Sequence, residues 1–205
     1  MNEPLRTFTG LLIAAALTLC AFMVLSLVAP AAWGQCDPFG LADSTAVLTW
    51  GAGSVYVDSF TTPACGGTLD SLRCKITNAN NGDDGFQLVI YDDNSGKPGN
   101  LIDSTAIDSI KSATSQVFTL PVQQNASIAA STVYWIGAFC NSPTTMGHEN
   151  NNGAGGNTVE WKGSQSQIPL TWGTSTGSDG TYAIYLIAYY TETAAASAPK
   201  RKRKN

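Results

Sequence analysis

From Thr45 onward the chain alternates short runs of apolar and β-branched residues with clusters of Gly, Asn, Asp, Ser and Pro. Runs of this length, bounded by turn-forming residues, are typical of β-strands. After Gln35, apolar residues do not recur at the helical period of 3.6 residues over a segment long enough to predict an amphipathic helix. The pattern predicts nine strands, over residues 44–50, 53–60, 67–78, 85–92, 100–107, 115–122, 131–140, 157–163 and 180–192.

Two of these runs, "TVYWIGAF" (132–139) and "TYAIYLIAYY" (181–190), are almost wholly apolar. This is expected of central strands that are covered on both faces. Closely spaced strands separated by turn residues favour an antiparallel arrangement over a parallel α/β sheet. The predicted fold is therefore all-β, a single antiparallel β-sandwich domain that is jelly-roll-like.

Two regions break the rhythm of strands and turns. The segment "NSPTTMGHENNNGAGGN", Asn141–Asn157, is predicted to be a long polar loop, and long loops in compact domains are often functional. The segment "TAAASAPKRKRKN", residues 193–205, has no apolar residue larger than alanine. We expect it to be a disordered alanine-rich linker with a basic tail.

The N-terminal segment is apolar from Leu11 to Ala29 and follows a short stretch that contains Arg6. Its length suits a long signal peptide or a membrane anchor. Ala32-Trp33-Gly34 resembles a signal-peptidase site with cleavage before Gln35. The predicted organisation is a signal peptide or N-terminal anchor over 1–34, the β-sandwich over 35–192 and the tail over 193–205. The expected location is extracellular or on the cell surface.

Of the five cysteines, Cys20 would be removed with the signal. The remaining four, Cys36, Cys65, Cys74 and Cys140, are an even number in an exported chain, which predicts two disulfides with three possible pairings. The alternative is that they are buried thiols.

Charge is unevenly distributed along the chain. Between Gln35 and Pro199 there are 14 acidic and 5 basic residues, whereas Lys200–Lys204 supplies five positive charges in succession. An acidic body disfavours nucleic-acid binding by the folded domain. The basic tail is expected to contact anionic surfaces, such as lipid or cell-wall polymer.

The segment "YDDNSGKPGN", Tyr91–Asn100, contains carboxylates, an amide and glycines, and it invites a calcium interpretation. The EF-hand spacing fails because Gly96 falls at ligand position 5 if Asp92 is position 1. A looser calcium site formed by Asp92, Asp93 and Asn94 remains open. The competing interpretation is a turn, with Pro98-Gly99 at the central positions of a type II turn.

The runs "FQLVIYDDNSGKPGNLIDST", "VFTLPV" and "ASIAASTVYWIGAF" together resemble the bacterial choice-of-anchor β-sandwich modules. The similarity covers residues 70–139. It implies a secreted or surface-displayed sandwich and brings no catalytic residues. The chain departs from that family at "PKRKRKN", which lacks the apolar helix that normally precedes such a basic cluster.

No catalytic motif stands out. His148-Glu149 begins like a metalloprotease motif, but Asn152 occupies the position of the second histidine, and no G-x-S-x-G elbow accompanies this single histidine. His148 is expected to be an exposed loop residue. The prediction is therefore a protein that is not an enzyme. A glycoside-active enzyme remains an alternative, since paired carboxylates need no local motif.

Aromatic residues offer the clearer functional signal. Trp161, Trp172 and Tyr182 are predicted to stack against sugar rings, and the alternative is that they fill the core. Asn125 begins an N-glycosylation sequon. The predicted function is a non-catalytic, adhesin-like surface module that binds carbohydrate or another surface polymer. The alternative is a structural subunit that self-associates into a coat or filament. No cofactor is expected, apart from possible calcium.

Overall fold

The computed structural model of the protein describes residues 37–41, 46–78, 84–111, 115–140, 146–150, 158–179 and 185–192, all of which belong to the compact unit Cys36–Asn205. The strands over these residues are β1 Phe39–Leu41, β2 Ala46–Trp50, β3 Ser54–Thr61, β4 Gly67–Asn78, β5 Asp84–Asp93, β6 Pro98–Ser104, β7 Asp108–Ile110, β8 Gln116–Pro121, β9 Ser127–Ile128, β10 Val133–Cys140, β11 Met146–Asn150, β12 Val159–Lys162, β13 Gly177–Asp179 and β14 Leu186–Glu192. Among the described residues, no helix has the length and apolar character needed to cross a membrane. The predicted signal segment and basic tail lie outside them.

The strands form two antiparallel sheets. Sheet A has the order β1-β14-β4-β11-β2, and β8 and β9 also pair with β4. Sheet B has the order β13-β12-β3-β10-β5-β6, and β7 also pairs with β5. The predicted all-β class and antiparallel β-sandwich are therefore confirmed.

The main core lies between the two sheets. Alternate residues of β10, including Tyr134 and Ile136, meet Leu72 of β4 in one buried cluster. Aromatic contacts join the sheets directly, as where the rings of Phe39 and Tyr134 lie 6.1 Å apart. Because successive side chains of a strand point to opposite faces, the same strands also present a second set of side chains away from this core.

A second apolar cluster occupies the outer face of sheet B. It contains Val57, Tyr91, Trp135 and Phe139, and Trp172 completes it. Trp172 belongs to residues 163–176, here named the cover segment, which connects β12 to β13. β10 is consequently buried on both faces, as its sequence predicts.

Each of the nine predicted strands overlaps a strand of the structure, and five further strands of the described residues (β1, β7, β9, β11 and β13) were not predicted. The most informative of these is β11, which lies inside the segment predicted to be a loop. It pairs with β2 and β4, and its His148 is opposite Leu48 and Ile76. The prediction that His148 is a loop residue is therefore wrong. Tertiary pairing here overrides the low strand propensity of Gly147 and Asn150.

Candidate binding site

Trp172 does not present its ring to solvent. The residue is 0% exposed, its ring contacts that of Tyr91 edge-on at 5.2 Å, and its Nε1 donates to the Ser175 hydroxyl at 2.8 Å. The prediction that Trp172 stacks on a ligand is therefore wrong. Its Gly- and Ser-rich surroundings suggested a surface loop, but that loop folds back over sheet B and turns the indole inward.

Trp161 is half-buried, and residues on the two strands beside β12 contact its ring. The ring stacks on Tyr56, with 5.9 Å between centroids and an interplanar angle of 14°. A Cβ atom added to Gly177 would come within 2.1 Å of the Trp161 ring, so the backbone of Gly177 lies directly against it. The structure therefore uses Trp161 for packing between neighbouring strands of sheet B. Tyr182 lies outside the described residues.

The segment 94–97 is the turn of a hairpin between β5 and β6. Asp93 pairs with Pro98, and the Asn94 N–H donates to the Lys97 carbonyl at 2.7 Å. Ser95 and Gly96 have φ angles of 57° and 80°, in the left-handed region that such turns require. The predicted type II turn at Pro98-Gly99 is wrong, because Pro98 already begins strand β6.

Asp92 and Asp93 support this hairpin on opposite faces of β5. Asp92 accepts from the Asn100 N–H. Asp93 accepts from Trp135 Nε1 at 2.9 Å and from the Gly96 N–H at 3.1 Å. Both carboxylates therefore already have donors within the protein, and the calcium site at Asp92, Asp93 and Asn94 stays a prediction. Across the described part of the chain, no group of three His, Cys, Asp or Glu side chains is arranged to hold a metal ion.

The cysteines differ in state. Cys74 and Cys140 are buried thiols outside any disulfide, so the prediction that both are bridged is wrong. Each fills space in the main core as a small apolar group, and burial raises the pKa of Cys74. Cys65 is disulfide-bonded, and no complete disulfide lies within the described residues. Cys36 also lies outside the described residues.

Asp103 organises the turn at residues 122–126. The residue is 0% exposed, and its carboxylate accepts the backbone N–H groups of Ser104, Gln123, Gln124 and Ala126 at 2.8 to 3.2 Å. A buried carboxylate is tolerated when it accepts several backbone hydrogen bonds. Sequence reasoning missed this role, since nothing local connects Asp103 with a turn twenty residues later.

The sequon residue Asn125 lies at the exposed tip of the same turn, with a φ angle of 51°. Its neighbours Gln123 and Gln124 are also exposed, and both line a cleft in the surface.

This first cleft, here named the glutamine cleft, has a volume of about 400 Å³. None of its described lining residues is charged: they are Gln87, Gln123, Gln124, Gln167, Ser104, Leu101, Ile168 and Leu170. Leu170 is 72% exposed, and Gln167 is exposed beside it. The cleft therefore offers amide donors and acceptors next to an uncovered apolar surface.

A second cleft, here named the Glu160 cleft, has a volume of about 390 Å³ and uses a different part of the cover segment. Glu160 and Lys97 form an ion pair in it. The other described lining residues are two glycines and three hydroxyl-bearing residues: Gly173, Gly177, Thr174, Ser175 and Ser178. Sequence reasoning did not predict this site, because Lys97 and Glu160 are far apart in the chain.

The fold and these clefts define the class of the protein, an antiparallel β-sandwich with two polar clefts along the cover of its sheet B. No protein-family model and no curated protein matches the chain.

Proposed function

We propose that the protein is a secreted, non-catalytic surface module that binds neutral carbohydrate, or a similar surface polymer, in the glutamine cleft. The observation that carries the proposal is the lining of this cleft, which combines four glutamines with exposed Leu170 and no charge. The resemblance of residues 70–139 to choice-of-anchor modules supports a place on the cell surface or outside the cell.

The chemistry of the cleft suits a polyhydroxylated ligand. Each glutamine amide carries two N–H donors and a carbonyl acceptor, so it matches the hydroxyl groups of a sugar, which both donate and accept. The aliphatic side chains of Leu101, Ile168 and Leu170 suit the apolar C–H surface of the sugar ring. Small-molecule sites typically combine apolar walls with a few placed polar groups in volumes of roughly 300–1,000 Å³.

The non-catalytic part of the proposal is supported by the roles of two buried carboxylates, those of Asp103 and Glu160. Asp103 holds backbone N–H groups of a turn, and Glu160 is paired with Lys97. Neither belongs to the lining of the glutamine cleft. A saccharide-hydrolysis screen of the purified protein should show no turnover, and turnover would support the glycoside-active alternative.

Binding to a glycan array tests the proposal. We expect the full chain to bind neutral glycans, and Gln124→Ala combined with Gln167→Ala to reduce that binding at least tenfold. Gln116→Ala is the matched control, because Gln116 is an exposed glutamine on β8 outside the cleft. Absence of neutral glycan binding, or equal binding by all variants, would refute the proposal.

A second candidate function is self-association with further copies of this chain through the edge of sheet A. Within the described residues β8 pairs only with β4, and its Val117 is 47% exposed. An unpaired strand edge can accept another strand. Light scattering distinguishes the candidates: growth of particle size with concentration supports assembly, and a monomer at high concentration contradicts it.

The secreted location has its own test. The mature N-terminus should be Gln35, read from the protein recovered outside the producing cell. A mature protein that begins upstream of Leu11 would show that the apolar segment is retained as an anchor.

A further inference from the structure

Glu160 is a charged residue with an unusual environment. It lies in β12 and is 0% exposed, and its Oε1 is paired with the ammonium group of Lys97. The other carboxylate oxygen, Oε2, is buried and has no hydrogen-bond partner among the residues that the structure describes. A buried acceptor without a donor is destabilising, and more so for a charged group. This oxygen therefore marks a position where a donor is missing.

The orphan oxygen belongs to a residue that lines the Glu160 cleft. Ser178 is directly opposite Glu160 in the pairing of β12 with β13, so the two side chains emerge on the same face of sheet B. The Ser175 hydroxyl accepts from Trp172 Nε1, which leaves its own proton available for donation. Thr174 and Ser178 are exposed at the rim.

The hairpin turn at 94–97 brings Lys97 to this cleft. The Lys97 side chain is 56% exposed, so its ammonium group can hydrogen bond to a ligand as well as to Glu160. An ammonium carries three donors, and one of them is used by the carboxylate. The cleft thus combines an acceptor without a donor, Glu160 Oε2, with two groups that can still donate hydrogen bonds, the Lys97 ammonium and the Ser175 hydroxyl.

Charge selects the class of ligand. The Lys97–Glu160 pair has no net charge, so it attracts neither a metal cation nor an anion strongly, and an apolar ligand would leave Oε2 unsatisfied. A neutral hydroxyl-bearing molecule suits this pair, since one hydroxyl donates to the carboxylate and another accepts from the ammonium. The volume of about 390 Å³ is within the usual range for small-molecule sites.

We infer that the Glu160 cleft is a second binding site that takes a single monosaccharide unit through its hydroxyl groups, with Glu160 Oε2 as acceptor and Lys97 as donor. The inference rests on the proposed carbohydrate function, but it concerns a separate cleft. The two clefts share no lining residue, so variants of one leave the other intact.

Titration of the full chain with D-glucose, D-galactose, D-mannose and N-acetyl-D-glucosamine, followed by NMR, tests the inference. We expect at least one of these sugars to shift the backbone amide signals of Ser175 and Ser178. Glu160→Gln should weaken that binding at least fivefold. Ser178→Val should weaken it too, and because Ser178 is exposed this variant remains informative if Glu160→Gln fails to fold.

Ser166→Ala is the matched control, since Ser166 is an exposed serine of the cover segment outside both clefts. Its affinity should equal that of the wild type. Absence of shifts with all four sugars, or equal affinity in the Ser178→Val variant, would overturn the inference. Glycan-array binding that depends on Gln124 and Gln167 would still stand in that case, so failure of the inference is distinguishable from failure of the proposed function.

Discussion

At the scale of the residue, Trp172 joins the cover segment to sheet B. Its ring is fully buried against Tyr91, and its backbone N–H donates to the Gly99 carbonyl at 2.7 Å. We expect Trp172→Ala to lower the free energy of unfolding by about 3–5 kcal/mol, because it removes a large buried aromatic side chain. Urea denaturation measures this change.

The control for Trp172 is Thr174→Ala, at an exposed position of the same segment. Its effect on stability should be within about 0.5 kcal/mol. If Trp172→Ala were as stable as this control but lost ligand binding, Trp172 would be a ligand-binding residue after all.

Tyr91 predicts a dependence of stability on alkaline pH. Burial raises the pKa of its phenol above the ordinary value of 10.0, so the folded state favours the neutral form. The contribution of the neutral phenol to the free energy of unfolding is complete below pH 10. It is lost as the pH rises from 10 towards the folded-state pKa, by at most about 1.4 kcal/mol per pH unit, because the unfolded chain loses the phenol proton first.

Tyr91→Phe isolates that contribution. The variant loses the hydrogen bond to the Pro169 carbonyl and should be about 1 kcal/mol less stable at pH 8. Between pH 10 and 11 its stability should fall less steeply than that of the wild type. Parallel curves for the two proteins in urea denaturation would contradict the assignment.

At the scale of the element, the β5–β6 hairpin accounts for the Asp-rich segment without a metal. Asp92 and Asp93 accept hydrogen bonds from the hairpin itself and from Trp135. We expect millimolar calcium to leave the midpoint of thermal unfolding unchanged, relative to magnesium as the control ion. A calcium-specific rise of several degrees would show that these carboxylates bind the ion.

Asp103 carries a prediction for the turn beside the glutamine cleft. We expect Asp103→Ala to reduce stability by at least about 2 kcal/mol, because several backbone donors lose their acceptor. Glycan binding should fall as well, since Gln123 and Gln124 belong to this turn and line the glutamine cleft. Asp70→Ala is the control, as Asp70 is exposed and accepts from a side chain, Thr191 Oγ1. Unchanged stability of Asp103→Ala would contradict its role.

The local sequence pattern was sufficient to predict some strands and insufficient to predict others. β10 could be predicted as a strand covered on both faces, because nearly all of its residues are apolar. β11 could not, since its sequence "MGHEN" has little strand propensity and its pairing with β2 and β4 depends on residues distant in the chain.

Prediction of the binding site from local sequence is limited in the same way. Trp161 and Trp172 were predicted to stack on sugar rings, yet both serve packing, because the path of the cover segment is a tertiary property. The clefts bring together residues from several elements, as with Gln87 of β5 and Gln167 of the cover segment. No spacing rule connects such positions, so only the fold reveals them.

At the scale of the whole molecule, both candidate clefts lie on the side of the sandwich that the cover segment occupies. The outer face of sheet B is built up by a second apolar cluster, and the cover segment that seals this cluster also contributes to both clefts. The same segment thus stabilises the domain and forms its candidate binding surface.

The most direct test of the central claim is an NMR titration of the full chain with a neutral oligosaccharide that the glycan array identifies. The side-chain amide signals of Gln124 and Gln167 should shift as the sugar is added, while those of Gln116 stay in place. Shifts that leave Gln124 and Gln167 unchanged, or an array without any neutral glycan bound, would contradict carbohydrate binding in the glutamine cleft.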